Sequence, residues 1–203
     1  MEYAIIILVS YIIGTSSMSF YLAKLNNVDI RNHGSKNLGA SNAMILMGWK
    51  AGILVGIHDI GKAFLAVYLM KYFFPDVLYV KEIAGVACVI GHIFPFYLKF
   101  KGGKGFASYV GMMFALNWKV GIVVGIAIIL ITLITDYIVS GTITTIVSVP
   151  IILGFLNKSM ILAGILCIAS LVIAYKHREN FVRMYNGTEI GFRSANRGEQ
   201  RIK

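Results

Sequence analysis

The stretch that decides the fold runs from residue 83 to residue 116 and reads IAGVACVIGHIFPFYL, then KFKGGKG, then FASYVGMMFAL. Two apolar runs are joined by Lys99 to Gly105, which contain three lysines and three glycines. Glycine permits tight turns and close approach of a ligand to backbone N–H groups, and lysine supplies compact positive charge. Because the second run is predicted to open a helix, the loop would end at a helix N-terminus, a natural anion site. The alternative is a solvated basic turn that only orients the chain in a membrane.

The apolar character extends to the whole chain. Of its 203 residues, 58% are hydrophobic and 14% are charged, whereas soluble domains are about a quarter charged. The sequence therefore predicts one all-α integral membrane domain over residues 1–203, with a basic cytoplasmic tail at 176–203. The net charge of +10 would suit nucleic acid. The basic residues lie between or after apolar runs, however, which indicates membrane lipid and anionic substrates instead.

Seven transmembrane helices are predicted, some of them shorter than the usual span of about 20 residues. A half-length or re-entrant helix is predicted at 39–49, after the first cytoplasmic loop. With the N-terminus outside, 14 of the 19 Lys and Arg residues face the cytoplasm, so the C-terminus and the polar loops are predicted to be cytoplasmic. The predicted spans are 3–23, 51–74, 83–98, 106–116, 120–135, 137–156 and 160–175.

Polar residues in the first loop have two interpretations. Ser35, Asn37, Gly39 and Asn42 precede an apolar run, so they are typical of a turn and a helix cap. They could equally present backbone donors and side chains to an oxyanion. The sequence alone leaves both interpretations open.

Charged and imidazole groups also occur inside apolar runs. Asp59 and Lys62 are three residues apart, so they share a helix face and are expected to pair; they are either functional or a structural ion pair. His92 lies just before the Gly/Lys loop and is either a packing residue or a substrate contact.

The tail opens with His177 and Asn180, which would share a face if the last helix continues. His177 suits proton transfer because its reference pKa is near neutral, while Arg178 and Arg183 are also explained as cytoplasmic flanking charges. The four histidines lie in four segments and no HExxH motif occurs, so no metal site is predicted. Cys88 and Cys167 are predicted to be reduced, buried packing residues.

Taken together, these stretches resemble the acyl-phosphate:glycerol-3-phosphate acyltransferase family, PlsY. The resemblance implies a seven-helix enzyme of the bacterial inner membrane. It would transfer a fatty acyl chain from acyl phosphate to the sn-1 hydroxyl of glycerol 3-phosphate, giving lysophosphatidic acid and phosphate without a cofactor, and the peripheral enzyme PlsX would supply the donor. The matching motifs are Gly34-Ser35-x-Asn37-x-Gly39-Ala40-x-Asn42, Asp59-x-x-Lys62, Gly91-His92-x-Phe94-Pro95, Phe100 to Gly105, His177 to Asn180, and Gly187-Thr188-Glu189.

The resemblance also assigns roles to residues. The catalytic candidates are Ser35, Lys104, His177 and Asn180. The predicted substrate-binding residues are Asn37, Gly39, Asn42, His92, Gly102, Gly103, Gly105 and Thr142. Asp59, Lys62 and Glu189 are predicted to support them. In this hypothesis the backbone of residues 102–105 and Lys104 clamp phosphate, and the hydroxyl proton goes to His177 or to the donor's own phosphate.

Several positions depart from the family pattern. Lys36 stands where glycine is usual, Ser41 replaces threonine, and Thr142 replaces serine. Ile45 and Asp136 stand where basic residues are common, and Lys36 is a candidate to replace one of the two lost charges. The departures keep open a related acyltransferase with another polar or phosphorylated alcohol as acceptor. A small transporter is a further alternative, because charged residues lie within the spans, although no internal repeat is evident.

Overall fold

In the computed structural model, residues 1–189, 191 and 193 are described, and over these ranges the secondary structure is helical without strands. They fall into two compact units that divide after Leu116. The first unit contains helices α1 Glu2–Thr15, α2 Met18–Leu25, α3 Ala40–Met47, α4 Trp49–Phe73, α5 Val80–Ile93, a 3₁₀ turn at Phe96–Leu98 and α6 Phe106–Leu116. The second contains α7 Trp118–Thr135, α8 Ile138–Leu156, α9 Met160–Lys176 and α10 Arg178–Tyr185.

Five helical segments of the described chain are long and apolar enough to cross a membrane, namely Glu2–Leu25, Trp49–Phe73, Val80–Leu98, Trp118–Thr135 and Ile138–Leu156. A sixth is counted if α9 and α10, which are bent by 55°, form one broken span. Helix α6 is apolar but has 11 residues, or ~16 Å, about half the hydrocarbon thickness. The predicted all-helical, multi-pass membrane fold is therefore confirmed, and the count of seven stays a prediction.

The first predicted span, 3–23, differs from the observed structure because it is interrupted. Helix α1 ends at Thr15 and α2 begins at Met18. The Ser17 hydroxyl accepts a hydrogen bond from the Phe20 N–H at 3.4 Å, which caps the new helix. A serine cap satisfies one of the orphan donors of a helix start, so the break is stabilised by the sequence itself.

Other helix bounds differ less. The predicted half-length helix is found at Ala40–Met47. In the third span, helix α5 begins at Val80 and ends at Ile93, before Pro95, because proline cannot continue the helical hydrogen-bond ladder. The 3₁₀ turn completes this span to Leu98. The tail predicted at 176–203 contains α10, which begins directly after His177.

Close helix packing in the first unit depends on glycine. A Cβ added at Gly14 would lie 2.0 Å from the Cys88 carbonyl oxygen, and one at Gly91 would lie 2.2 Å from that of Tyr11. Small residues let membrane helices approach at backbone distance. Helices α1 and α5 therefore pack directly against each other near the end of α5 that carries the Gly/Lys loop.

Many large apolar side chains point outward, whereas two charged side chains in the middle of α4 are buried. In the first unit Ile57 is 64% exposed, whereas Asp59 is 2% and Lys62 is 6% exposed on the same helix. In the second unit Phe155 is 82% exposed. Cys88 is buried as predicted, whereas Cys167, predicted to be buried, is exposed. An apolar exterior suits contact with lipid, and buried charges inside a span mark a candidate functional site.

Candidate functional site

The Gly/Lys loop folds back onto the end of α5. The Gly102 N–H donates to the Ile93 carbonyl at 3.0 Å, and the Gly103 N–H donates to the His92 carbonyl at 3.2 Å. Lys99 and Phe100 both have positive φ values, +55° and +59°. Because left-handed backbone is unfavourable for residues with a side chain, this turn is held in shape by its hydrogen bonds to α5.

Both glycines at positions 102 and 103 are required for close packing. A Cβ at Gly102 would lie 2.1 Å from the His92 carbonyl oxygen, and a Cβ at Gly103 would lie 2.1 Å from His92 Nε2. Their N–H groups are engaged by α5 carbonyls. The expectation that these two N–H groups face a ligand is therefore corrected, because they anchor the loop to α5.

The loop ends at a helix N-terminus, as predicted. Helix α6 begins at Phe106, after Gly105, whose φ of +90° requires glycine. The Ser108 hydroxyl in the first turn is fully buried and has no hydrogen-bond partner among the described residues. Lys104 is half-buried beside this helix start. Sequence reasoning missed Ser108, since its burial depends on helix packing.

A buried ion cluster joins α4, α5 and the break between α1 and α2. Lys62 Nζ lies 2.9 Å from Asp59 Oδ1, 2.8 Å from His92 Nδ1 and 2.6 Å from the Ser16 carbonyl oxygen. An ammonium group carries three donors and no acceptor, so these three contacts satisfy it. The predicted pairing of Asp59 with Lys62 is confirmed, and His92 belongs to the same cluster.

His58 extends the cluster to the helix break. Its Nε2 lies 3.0 Å from the Ser16 hydroxyl, and its Nδ1 lies 3.4 Å from Asp59 Oδ1. Ser16 thus meets Lys62 through its carbonyl and His58 through its hydroxyl. The break that frees these Ser16 groups carries no charge or motif, so the sequence did not indicate this contact.

Asn42 organises the first loop from inside. Its Oδ1 accepts from the Ser35 N–H at 2.8 Å, and its Nδ2 donates to the carbonyls of Ile30 and His33 at 3.0 and 3.2 Å. The side chain is fully buried. A Cβ at Gly34 would lie 2.2 Å from Asn42 Oδ1. Asn42 therefore positions the loop around Ser35.

The predicted site residues of this loop differ in exposure. Ser35 is exposed, Asn37 is half-buried, and Gly39 precedes the first residue of α3. Asp29, earlier in the loop, accepts a hydrogen bond from Asn32 Nδ2 at 2.6 Å, and this bond is the main cause that lowers the pKa of the Asp29 carboxyl. The loop is thus a set of local turns that leaves the Ser35 side chain at the surface.

Two departures from the family pattern lie in this region. Lys36, where glycine is usual, has a φ of +55° and is exposed. Glycine takes this conformation without strain, which explains why the family pattern favours it. Ile45 is 50% exposed on α3, so no buried charge is missing there.

In the second unit, His177 lies at the junction of α9 and α10. Its Nδ1 lies 2.9 Å from the Ile173 carbonyl oxygen, so Nδ1 carries a proton and Nε2 is the acceptor nitrogen of the neutral ring. The ring stacks on Phe181 at 6.2 Å between centroids. This tautomer suits a group that accepts a proton.

Glu189 holds Asn180 in place. Its Oε1 accepts from Asn180 Nδ2 at 2.6 Å, and its Oε2 accepts from Arg183 Nε at 2.7 Å. The pair of contacts links the last described turn of the tail to α10. The predicted supporting role of Glu189 agrees with this arrangement and stays a prediction.

The other two notable positions of this unit lie on α8 and at the end of α7. Thr142 is buried and its hydroxyl donates to the Ile138 carbonyl at 3.4 Å. Asp136 has a φ of +64°, and its Oδ1 accepts from the Arg193 N–H at 2.9 Å. The Arg193 guanidinium lies 2.8 Å from the Leu133 carbonyl. A cation therefore lies at this helix end although position 136 is acidic, a contact that the sequence did not indicate.

Over residues 1–189, 191 and 193, no group of three or more His, Cys, Asp or Glu side chains is arranged to hold a metal ion. The polar groups gathered near the end of α5 are lysine, histidine, serine and backbone groups together with the Asp59 carboxylate, which pairs with Lys62. Fold and site together define an all-helical integral membrane protein with a Gly/Lys loop folded against the end of a span.

Residues 4–187 match the family model described as glycerol-3-phosphate acyltransferase. The chain belongs to the glycerol-3-phosphate acyltransferase family. This confirms the family and the enzyme class predicted from the motifs, in preference to the transporter.

The similar proteins carry the same description. The glycerol-3-phosphate acyltransferase of Pelagibacter ubique is 38% identical over 93% of this chain and 97% of its own length. That of Salinibacter ruber is 36% identical over 91% of this chain and 90% of its own. The glycerol 3-phosphate form of PlsY, an integral membrane glycerol 3-phosphate acyltransferase, superposes with a TM-score of 0.89 at 30% identity, covering 97% of this chain and 98% of that one. The lysophosphatidic acid form gives 0.86 at 29%.

Proposed function

We propose that the protein transfers a fatty acyl group from acyl phosphate to the sn-1 hydroxyl of glycerol 3-phosphate, giving lysophosphatidic acid and phosphate. The acceptor and product are those of the PlsY structures to which the chain is similar. The donor is inferred from the motifs, and the resemblance implies that PlsX supplies it. The observation that carries the proposal is the Gly/Lys loop, which packs on α5 and leads into α6.

The first turn of α6 and Lys104 would hold a phosphate group. Free N–H groups at a helix start attract anions. The Ser108 hydroxyl, which has no hydrogen-bond partner within residues 1–189, 191 and 193, supplies a further donor there. Lys104 adds a positive charge. Ser35 and Asn37, on the loop that Asn42 organises, would contact the substrates.

The chemistry needs positioning more than a strong base. The acceptor hydroxyl attacks the acyl carbonyl carbon, the new C–O ester bond forms, and the bond from that carbon to the phosphate oxygen breaks. Phosphate is already a good leaving group, so orientation and stabilisation of developing charge account for catalysis. The hydroxyl proton goes to the leaving phosphate or to His177.

His177 and Asn180 are proposed to orient the acceptor. Nδ1 of His177 donates to the Ile173 carbonyl, and Glu189 holds the Asn180 amide. A His177→Ala variant that keeps full turnover would remove His177 as the base.

The protein is proposed to lie in the bacterial inner membrane with seven crossings, the N-terminus outside and the C-terminus and site loops cytoplasmic. The crossing needed to complete seven, fourth in chain order, would be α6 at Phe106–Leu116. The distribution of Lys and Arg supports this orientation. Reporter fusions that place the Lys99–Gly105 loop outside would contradict it.

The activity is tested with purified protein, palmitoyl phosphate and labelled glycerol 3-phosphate, with palmitoyl-CoA as a parallel donor. Lysophosphatidic acid should form from acyl phosphate only. Lys104→Ala should lower kcat/KM by about 10²–10³, whereas Lys101→Ala, an exposed lysine in the same loop, should change it by less than about threefold.

Equal use of both donors, or full activity in Lys104→Ala, would contradict the proposal. Absence of product, with folded protein and intact acyl phosphate, would favour another phosphorylated or polar alcohol as the acceptor. Screening such alcohols with the same donor would then identify it.

A further inference from the structure

His92 Nδ1 faces the Lys62 ammonium group, which can donate hydrogen bonds but cannot accept them. Lys62 Nζ lies 2.8 Å from it, whereas Asp59 Oδ1 is farther away at 3.4 Å. A charged ammonium has no acceptor, so the imidazole nitrogen beside it must supply the lone pair. The proton of the neutral ring is then on Nε2.

The surroundings of Lys62 indicate that it is charged. Its three N–H donors meet three acceptors, the Asp59 carboxylate, the Ser16 carbonyl and His92 Nδ1, at 2.9, 2.6 and 2.8 Å. Lys62 and Asp59 are both nearly fully buried. A buried ion is retained when it is paired and its remaining donors are satisfied, and here both conditions are met.

The other ring nitrogen lies on the loop side. Nε2 packs against Gly103, since a Cβ added to that glycine would lie 2.1 Å from Nε2. The Gly103 N–H also donates a hydrogen bond to the His92 carbonyl. Within the described part of the chain, the polar contacts of this ring run through Nδ1. The Nε2 edge is therefore next to the loop that precedes Lys104.

We propose that Lys62 is a positioning residue that holds His92 in the Nε2–H tautomer, so that His92 donates a hydrogen bond to a phosphoryl or carbonyl oxygen bound at the Lys99–Gly105 loop. This inference rests on the proposed function, since it names one more donor for the same anionic substrate. A donor fixed before the substrate arrives needs no reorganisation during the reaction. Ser16 and Asp59 take part by satisfying the other two donors of Lys62.

The tautomer is measured directly by ¹⁵N NMR of imidazole-labelled protein in detergent or lipid. The His92 signal is identified as the one that disappears in His92→Gln. The wild-type ring should have an unprotonated Nδ1 and a protonated Nε2. A proton on Nδ1, or on both nitrogens, at neutral pH would overturn the proposal.

Two variants test the part played by Lys62. In Lys62→Met, the nearest polar partner of Nδ1 is Asp59 Oδ1 at 3.4 Å, so the proton should move to Nδ1. Lys62→Arg keeps a group that donates hydrogen bonds and accepts none, so His92 should keep its wild-type tautomer. An unchanged tautomer in Lys62→Met would overturn the role of Lys62, and the wild-type spectrum remains decisive if that variant does not fold.

Activity assays of two His92 variants distinguish a donor at the position of Nε2 from one at the position of Nδ1. The side-chain amide of glutamine reaches the position of Nε2, whereas that of asparagine reaches only the position of Nδ1. His92→Gln should keep kcat/KM within about tenfold of wild type, and His92→Asn should lose about 10²–10³, the effect of one oxyanion donor. Equal losses in both variants would overturn the donor role.

The two proposals fail in different ways. Wild-type protein that makes no lysophosphatidic acid contradicts the proposed function and leaves the measured tautomer intact. Wild-type activity with a proton on His92 Nδ1 contradicts only the inference about Lys62. The spectra and the product assay are therefore run on the same preparation.

Discussion

Replacement of Gly103 by alanine should disable the site through His92. The added Cβ would lie 2.1 Å from Nε2 and 2.7 Å from Cε1 of the ring, whereas ordinary contact begins at 3.4 Å. The ring must therefore move by about 1 Å or the loop must separate from α5. Movement of the ring disturbs the 2.8 Å contact between His92 Nδ1 and Lys62 Nζ, whereas movement of the loop breaks the hydrogen bond from the Gly103 N–H to the His92 carbonyl.

The expected losses of stability and of kcat/KM in Gly103→Ala follow from the contact that is broken. Loss of one partner leaves a buried polar group unsatisfied, at a cost of about 1–3 kcal/mol. A misplacement of about 1 Å in a catalytic site can lower the rate about 10²-fold. Gly103→Ala should therefore lose about 100-fold in kcat/KM and unfold at lower temperature than wild type.

The assay is lysophosphatidic acid formation from acyl phosphate, together with thermal unfolding in the same detergent. Gly61→Ala on α4 is the matched control, because its Cβ would meet no atom of the described residues within 4 Å. That control should keep wild-type activity and gain about 0.5–1 kcal/mol from its position in a helix interior. Wild-type kcat/KM in Gly103→Ala would refute the reasoning, since the ring would then not be packed against residue 103.

Three further predictions concern the loop and the tail. Lys36→Gly should raise stability by about 0.5–1 kcal/mol, because φ is +55° there; a lower unfolding temperature would contradict this. Asn42→Ala removes three hydrogen bonds, one of them buried and two partly buried, and should cost at least about 1–3 kcal/mol and raise KM. Unchanged KM and unfolding temperature would contradict this. Glu189→Gln loses the charged contact to Arg183, which is partly exposed, so the free energy of unfolding should fall by less than about 1 kcal/mol. The same change should lower kcat/KM several-fold, because Glu189 also holds the Asn180 amide. Wild-type kcat/KM in this variant would show that Asn180 needs no such support.

The sequence by itself determined the fold class, the family and most helix positions. Long apolar runs with few charges can only be helical spans, because backbone groups in lipid must be bonded within the segment. The start of α6 after Gly105 and the pairing of Asp59 with Lys62 also followed from local spacing. These features depend on neighbours within a turn or a loop, which a single sequence displays directly.

Tertiary structure decided which distant groups meet. Ser16, Lys62 and His92 come together only because α1 is broken after Thr15 and packs closely against α5. It also decided that the N–H groups of residues 102 and 103 bind α5 carbonyls. Spans that are apolar all round carry little periodicity to show which faces pack. The contacts that build the site are therefore set by helix packing over long sequence separations, which residue patterns do not specify.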